Sequence, residues 1–266
     1  VSVEQPKSWW RRVLGGPSNE RNPVEPEPRR LPVRPNFVGI DDGSVMRGER
    51  LTDLRQLIRS RLAPGFTDLE EVESDARDWA EDNGASADEV TAEVRRMWVA
   101  RRADEAAWND TGDFGRLSAA FAELDAAGVL ARMNFACCAR CATALIDAER
   151  TPAPERDDWY KFREWAYVFF AEADAGHIAD DDPVLSLSYS GFRPHESVSE
   201  SVLDAMSDGD TDAEHLAYEQ TETMLAEQIV AVLRSHDLEV IWSGGHHDRI
   251  DVRIGAWRKP LPGAPE

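Results

Sequence analysis

The chain has 266 residues, 42% of them hydrophobic, with 51 Asp/Glu against 30 Lys/Arg and a formal net charge of −21. That length suits one large core or two smaller ones, and so marked an excess of carboxylates repels phosphate backbones, which disfavours nucleic-acid binding by the body of the protein. No run approaches the ~18 apolar residues of a membrane span, and the first thirty residues hold no apolar stretch of the secretory kind, so a soluble globular protein of the cytoplasm is expected.

Charge is distributed unevenly. Residues 1–35 carry seven Lys/Arg and four Glu, a net +3 that leaves −24 on the remainder. Seven prolines within residues 1–36, and too few apolar side chains for a core, predict a disordered Pro-rich arm. Its Trp9-Trp10-Arg11-Arg12-Val13-Leu14 stretch is a short aromatic and basic patch, suited to contact with a membrane surface or partner or to an unattached tail.

Residues 37–128 read as a helical subdomain. Leu51, Leu54, Leu57, Ile58 and Leu62 have the spacing of a buried helical stripe, which Pro64-Gly65 stops. Thr67-Asp-Leu-Glu70 and Ser86-Ala-Asp-Glu89 are capping-box patterns, so a helix is expected to begin at each. The first carries Leu69, Val72, Ala76 and Trp79 up to Asn83-Gly84; the second carries Val90, Val94, Met97 and Trp98, with Trp108 beyond. A fourth helix places Leu117, Ala120, Phe121 and Leu124 on one face and ends at Gly128, which suits a left-handed C-cap.

From residue 129 the period changes to two. Val129, Ala131, Met133 and Phe135 alternate with Leu130, Arg132 and Asn134 as a half-buried strand, and Ala139 to Glu149 looks helical. Trp165-Ala-Tyr-Val-Phe-Phe170 is apolar on both faces, as a central strand should be, and Leu185, Leu187 and Tyr189 alternate with serines in a third strand. The acidic stretch that follows reads as a loop. Leu216, Leu225, Ile229, Val232 and Leu233 then mark a long helix, and Leu238-Glu-Val-Ile-Trp242 and Ile250-Asp-Val-Arg-Ile254 close as a hairpin around Gly244-Gly245. The expected fold class is α+β: a ferredoxin-like split βαβ antiparallel sheet with an extra C-terminal strand over residues 129–258, preceded by the helical subdomain and followed by a tail at 259–266. The helices are expected to dock on the sheet.

Cys137, Cys138 and Cys141 are the only cysteines, and they lie within five positions. Adjacent cysteines rarely bridge and three cannot all pair, so a disulfide framework is not expected. Three readings remain. Thiolates bind Zn²⁺ or Cu⁺, and a CxxC from Cys138 to Cys141 at a strand-to-helix junction resembles that of ferredoxin-like copper-trafficking domains, an analogy of fold alone. A CxxC after a strand also serves thioredoxin-like redox chemistry. Finally, Cys138, Cys141, Ala142 and Leu145 share a helical face, and buried cysteine packs as a small hydrophobe. Structural zinc takes four ligands, so the candidate metal set is Cys137, Cys138, Cys141 and a donor just after the aromatic strand, Asp174, with His177 as its alternative.

Other constellations are weaker. His246-His247-Asp248 offers ligands but falls in an expected turn, where polar residues belong. Arg132, Asn134, Ser186, Ser188, Asp251 and Arg253 fall on the polar phase of their strands, as a binding surface or a solvated face. The chain has no HExxH, Walker A loop, GxSxG or glycine-rich dinucleotide turn, so no catalytic or cofactor-binding residue is assigned.

The string Gly128-Val-Leu-Ala-Arg-Met-Asn-Phe-Ala-Cys-Cys-Ala-Arg-Cys141, with Tyr167-Val-Phe-Phe170 and Asp174, resembles a family of bacterial domains of unknown function. That family has a pattern close to ARxNFxCCxxCG followed by GYVFFHxQD. The resemblance extends over roughly residues 50 to 258 and includes Trp108 and Arg116-Leu117. It implies the α+β architecture and no particular activity. Two positions depart from it: Ala142 stands where the pattern has Gly, and Ala171 where it has the His that would offer a fourth ligand or a base near the thiols. The functional expectations are a cysteine-thiolate accessory protein that binds zinc or copper, or a non-enzymatic protein-interaction or regulatory module with structural cysteines. A protein partner fits either.

Overall fold

Two strands that are direct neighbours where the sequence suggested they would be separated set the architecture. The computed structural model describes residues 43–155 and 160–263, so the expected arm at 1–36 and its tryptophans lie outside the described residues. Five strands, β1 (Val129–Arg132), β2 (Ala166–Phe169), β3 (Val184–Gly191), β4 (Glu239–Ile241) and β5 (Ile250–Arg253), form one sheet in the order β1-β2-β3-β5-β4. β1 and β2 are parallel, with Val129 opposite Ala166 and Arg132 opposite Phe169. The other pairs are antiparallel.

A split βαβ would place β3 between β1 and β2. The sheet is instead open and mixed, so the ferredoxin-like order and the all-antiparallel pairing expected from the sequence are corrected by the register. The segment joining β1 to β2 carries α5 (Ala139–Leu145) and a 3-10 turn (Ile146–Glu149), long enough to return the chain for direct parallel pairing. β2 then takes a partner on each edge, as a strand apolar on both faces requires.

Ahead of the sheet lie α1 (Gly43–Leu62), α2 (Leu69–Asn83), α3 (Ala87–Glu105) and α4 (Gly112–Ala126). Leu54, Ile58 and Leu62 meet Val72, Ala76, Val90 and Val94 in a cluster shared by α1, α2 and α3. Asp68, rather than Thr67, caps α2, accepting the Glu71 N–H at 2.9 Å, because the helix begins one residue later than the capping-box pattern indicated. Ser86 caps α3 as expected. Gly84 and Gly128 take positive φ after α2 and α4, and at Gly128 a side chain would press on the Trp165 ring.

α4 belongs to the sheet. Its Leu117, Phe121 and Leu124 pack with Leu225, Ile229 and Leu233 of the long helix α8 (Thr211–Ser235) over the face formed by Val129, Val168, Phe170, Leu185, Leu187, Ile250 and Val252. Between β2 and α8 lie the single turn α6 (Glu172–Ala175) and α7 (Glu200–Ser207). The acidic stretch expected as a loop thus contains a helix, and Asp210 caps α8 by accepting the Asp212 and Ala213 N–H groups. Its serines and aspartates end and start helices rather than solvate a coil. Val240 and the half-buried Trp242 pack on the same core.

The C-terminal segment ties the two clusters together. Leu261 is buried among α1 to α3, Trp257 Nε1 donates to the Pro64 carbonyl at 3.0 Å, and Lys259 Nζ donates to that of Gly65 at 2.7 Å. Asp113, buried at the start of α4, accepts the Gly255 and Ala256 N–H groups at 2.7 Å each. Asp113→Ala leaves those two donors without an acceptor, so a loss of about 3 kcal/mol is expected in urea unfolding. A change under about 0.5 kcal/mol would show that the segment is not held there.

Glu222 of α8 is buried and accepts the Ser190 hydroxyl at 2.6 Å. Burial pushes its pKa up, against that hydrogen bond and the nearby His247 and His246. A carboxyl raised on folding supports the folded state while protonated, and that support is lost as pH climbs from the unfolded value through the folded one. Glu222→Gln is therefore expected to exceed the native chain in stability near pH 8 and to converge on it toward about pH 4. Melting curves at the two pH values check this; a pH-independent difference would contradict it.

Candidate metal centre

β1 ends at Arg132, three residues short of the predicted Phe135, because the chain turns into a left-handed path at Asn134 (φ 50°) and Ala136 (φ 59°). Asparagine tolerates that region, whereas alanine adopts it only when its surroundings impose it. Three backbone hydrogen bonds impose it here. The Phe135 N–H donates to the Phe170 carbonyl at 2.9 Å, Glu172 N–H to that of Ala136 at 3.0 Å, and Ala173 N–H to that of Cys137 at 3.1 Å. The loop carrying the cysteines is thus fastened to the end of β2 and the start of α6.

Cys138 occupies the N-cap position of α5, and Cys141 lies in the helix's first turn. This brings the Cys137, Cys138 and Cys141 sulfurs within 4.8 Å of one another. Cys137 is exposed and the other two are half-buried. The helical face on which packing was expected divides: Ala142 is fully buried, but Leu145 is 53% exposed. The sulfurs converge on each other at the surface instead of filling the core.

Their protons are unevenly held. The facing N–H of Cys141, then the Cys141 and Cys137 thiols, draw the Cys138 thiol below its ordinary value. The Cys141 thiol is pushed up to about 11, because it donates toward Cys137 and Cys138 and its own ionisation would add a like charge beside them. One thiolate is therefore stabilised by the others as long as they keep their protons.

Asp174 is close in sequence to this loop's anchor but is engaged elsewhere. One carboxylate oxygen accepts the Ala171 N–H at 2.9 Å, and the other accepts from Arg249 at 2.9 Å. His177 is exposed and faces Asp180 at 2.9 Å. His246 and His247 lie ring to ring at 3.8 Å, with Asp248 turned to the Ser243 hydroxyl, apart from the cysteines. On the polar sheet face, Ser186 donates to Asp251 at 2.6 Å, Arg253 pairs with Glu239 and Asp182, and Arg132 pairs with Glu149.

Sequence reasoning missed the residues that hold the site's anchor. Arg61 of α1 pairs with Glu172, and Arg249 bridges Asp174 and the Ser186 carbonyl, so two guanidiniums fix α6 beneath the cysteine loop. No local pattern reports pairs this far apart in the chain. Among the described residues, no helix is long and apolar enough to cross a membrane.

Residues 48–261 match a family described as a domain of unknown function, DUF6891. The chain belongs to that family. The matched span runs from α1 through the C-terminal segment that returns to it, so the helices and the sheet are both part of the family's domain. No curated protein and no solved structure matches the chain.

In reduced protein kept in chelator, Cys138 is expected to alkylate ahead of Cys141 with iodoacetamide near neutral pH, since thiolate content governs the rate. Peptide mass mapping of a time course checks the order, and equal labelling rates would show that the two thiols are not coupled.

Proposed function

We propose that Cys137, Cys138 and Cys141 jointly bind one thiophilic metal ion, Zn²⁺ or Cu⁺, and that the protein serves as a metal-binding accessory protein. The convergence of three sulfurs within 4.8 Å on a strained loop carries this reading. Packing alone does not require the sulfurs to face one another at the surface, and partial exposure favours a ligand role over a structural one. Soft thiolates select these two ions. With Asp174 held by Arg249 and Ala171, the site offers three protein ligands and an open position, the pattern of sites that exchange a ligand rather than of closed structural zinc.

An open thiolate site at the surface suits an ion that is taken up and passed on, with exposed Cys137 as the sulfur most accessible to an incoming donor. Asp174 acts on the loop, not on the ion. Two substitutions separate these roles. Cys138→Ser is expected to abolish bound metal and to lower the melting temperature of the loaded protein, because binding free energy at a site absent from the unfolded chain is folding free energy. Asp174→Ala is expected to lower stability by about 1 to 2 kcal/mol while leaving close to one metal per chain. Elemental analysis and native mass spectrometry of protein purified without chelator measure both. Absence of metal from the native chain, with rapid chelator-independent reaction of one thiol, would replace this reading with thiol redox chemistry.

A further inference from the structure

Between α1 and α3 lies a cavity of about 480 Å³ whose lining opposes the composition of the chain. Arg55 and Arg59, one turn apart on α1, and Arg96 and Arg101 on α3 all line it, and Asp104 is the one carboxylate among the lining residues. Leu62, Met97 and Ala100 supply apolar wall. Four guanidiniums in one cavity, on a protein of net charge −21, are not explained by solvation of a helix face.

Two of the four are aimed by a shared carboxylate. Glu93 accepts from Arg55 at 2.6 Å and from Arg96 through two bonds of 2.7 Å, and these partners hold its pKa down at about 2. It stays ionised and fixes both guanidiniums. The other two lack a carboxylate in hydrogen-bonding geometry. Arg59 has only the Gln56 amide oxygen, at 3.5 Å. Arg101 stacks over Trp108 at 4.5 Å and donates through Nη2 to the Ala63 and Lys259 carbonyls, while its buried Nε finds no acceptor, Glu105 Oε1 standing 3.5 Å off. Neither guanidinium is held by a bidentate carboxylate, so both can serve an anionic ligand.

We propose that this cavity binds a small phosphate monoester, a dianion with an apolar body. Guanidinium forks match phosphate oxygens, the Leu62, Met97 and Ala100 wall suits the body, and the volume falls in the range of small-molecule pockets. The acidic remainder of the chain selects for size: an extended polyanion would run out over that surface, whereas a small ligand responds to charges within roughly 8 Å. The site is independent of the cysteines.

Calorimetric titration of the full chain with phenyl phosphate tests this. One saturable site is expected, with inorganic phosphate binding more weakly for want of the apolar contact. Arg59→Gln breaks no ion pair, so it should leave the melting temperature unchanged and weaken phenyl phosphate about tenfold. The Arg59→Gln/Arg96→Gln double variant should abolish binding while Glu93 keeps Arg55. Cys138→Ser should bind phenyl phosphate as the native chain does, which separates this site from the metal reading. Undiminished binding by Arg59→Gln, heat reproduced by sodium chloride of equal ionic strength, or tighter binding of hexaglutamate than of phenyl phosphate would each overturn the proposal.

Discussion

Phe169, the last residue of β2, and Phe170, directly after it, are both fully buried, one on each face of the sheet. Everything else in the fold answers to that constraint. On one side Phe170 meets Phe66, Phe121 and Trp257, so the loop after α1, helix α4 and the C-terminal segment converge on a single ring. On the other, Phe169 packs with Leu130, Ala142 and Ile146, which draws α5 and the following turn onto the sheet. Burying an aromatic side chain on both faces of one strand demands two covering layers, and each cover brings in a different part of the chain. The cysteine loop is a by-product of the second cover: it is the link between β1 and α5, and it takes its backbone partners from the carbonyl of Phe170 and the residues just after it.

The arginines act as ties across this assembly. Arg61 joins α1 to both Asp75 of α2 and Glu172 of α6, Arg163 joins Asp125 to Glu164, and Arg249 joins Asp174 to β3. In an acidic body each guanidinium has a choice of carboxylates, and the pairs of Arg61 with Glu172, Arg163 with Asp125 and Arg249 with Asp174 connect elements distant in sequence. Exposed pairs of this kind add little stability one by one. Their effect is positional: α6, a single turn with little cover of its own, is held from two directions, and through it the loop at Ala136 and Cys137.

Much of this was legible in the residues. Helix spacing located α1 to α4, period-two alternation located β1 and β3, a run apolar on both faces located β2, and the glycines at 84 and 128 stopped their helices as left-handed caps do. The clustered cysteines named the site. Strand neighbours were not legible, since the order of elements is equally compatible with β3 inserted between β1 and β2 or outside them, and only the two-sided burial of β2 decides. Nor was the end of β1, because the alternation of Met133 and Phe135 continues past the point where Asn134 and Ala136 turn left-handed under bonds from residues some 35 positions away. Asp174 was singled out by its nearness in sequence to the aromatic strand, and its carboxylate was claimed by Arg249, a turn residue with no pattern to announce it.

Charge argues further about the ion. Three thiolates without a metal would add three negative charges to a chain already at −21, and the rise of the Cys141 thiol shows the local resistance to that. Were all three sulfurs ionised around the proposed ion, a divalent ion would leave one negative charge and a monovalent ion two, so Zn²⁺ would relieve more of the repulsion while Cu⁺ would better match three sulfur donors and no fourth. The acidic surface would attract either cation from a distance, and the proton held by Cys141 would oppose the proposed binding at short range. On the proposed reading, release of an ion would be assisted by reprotonation of Cys141, whose thiol is pushed up to about 11.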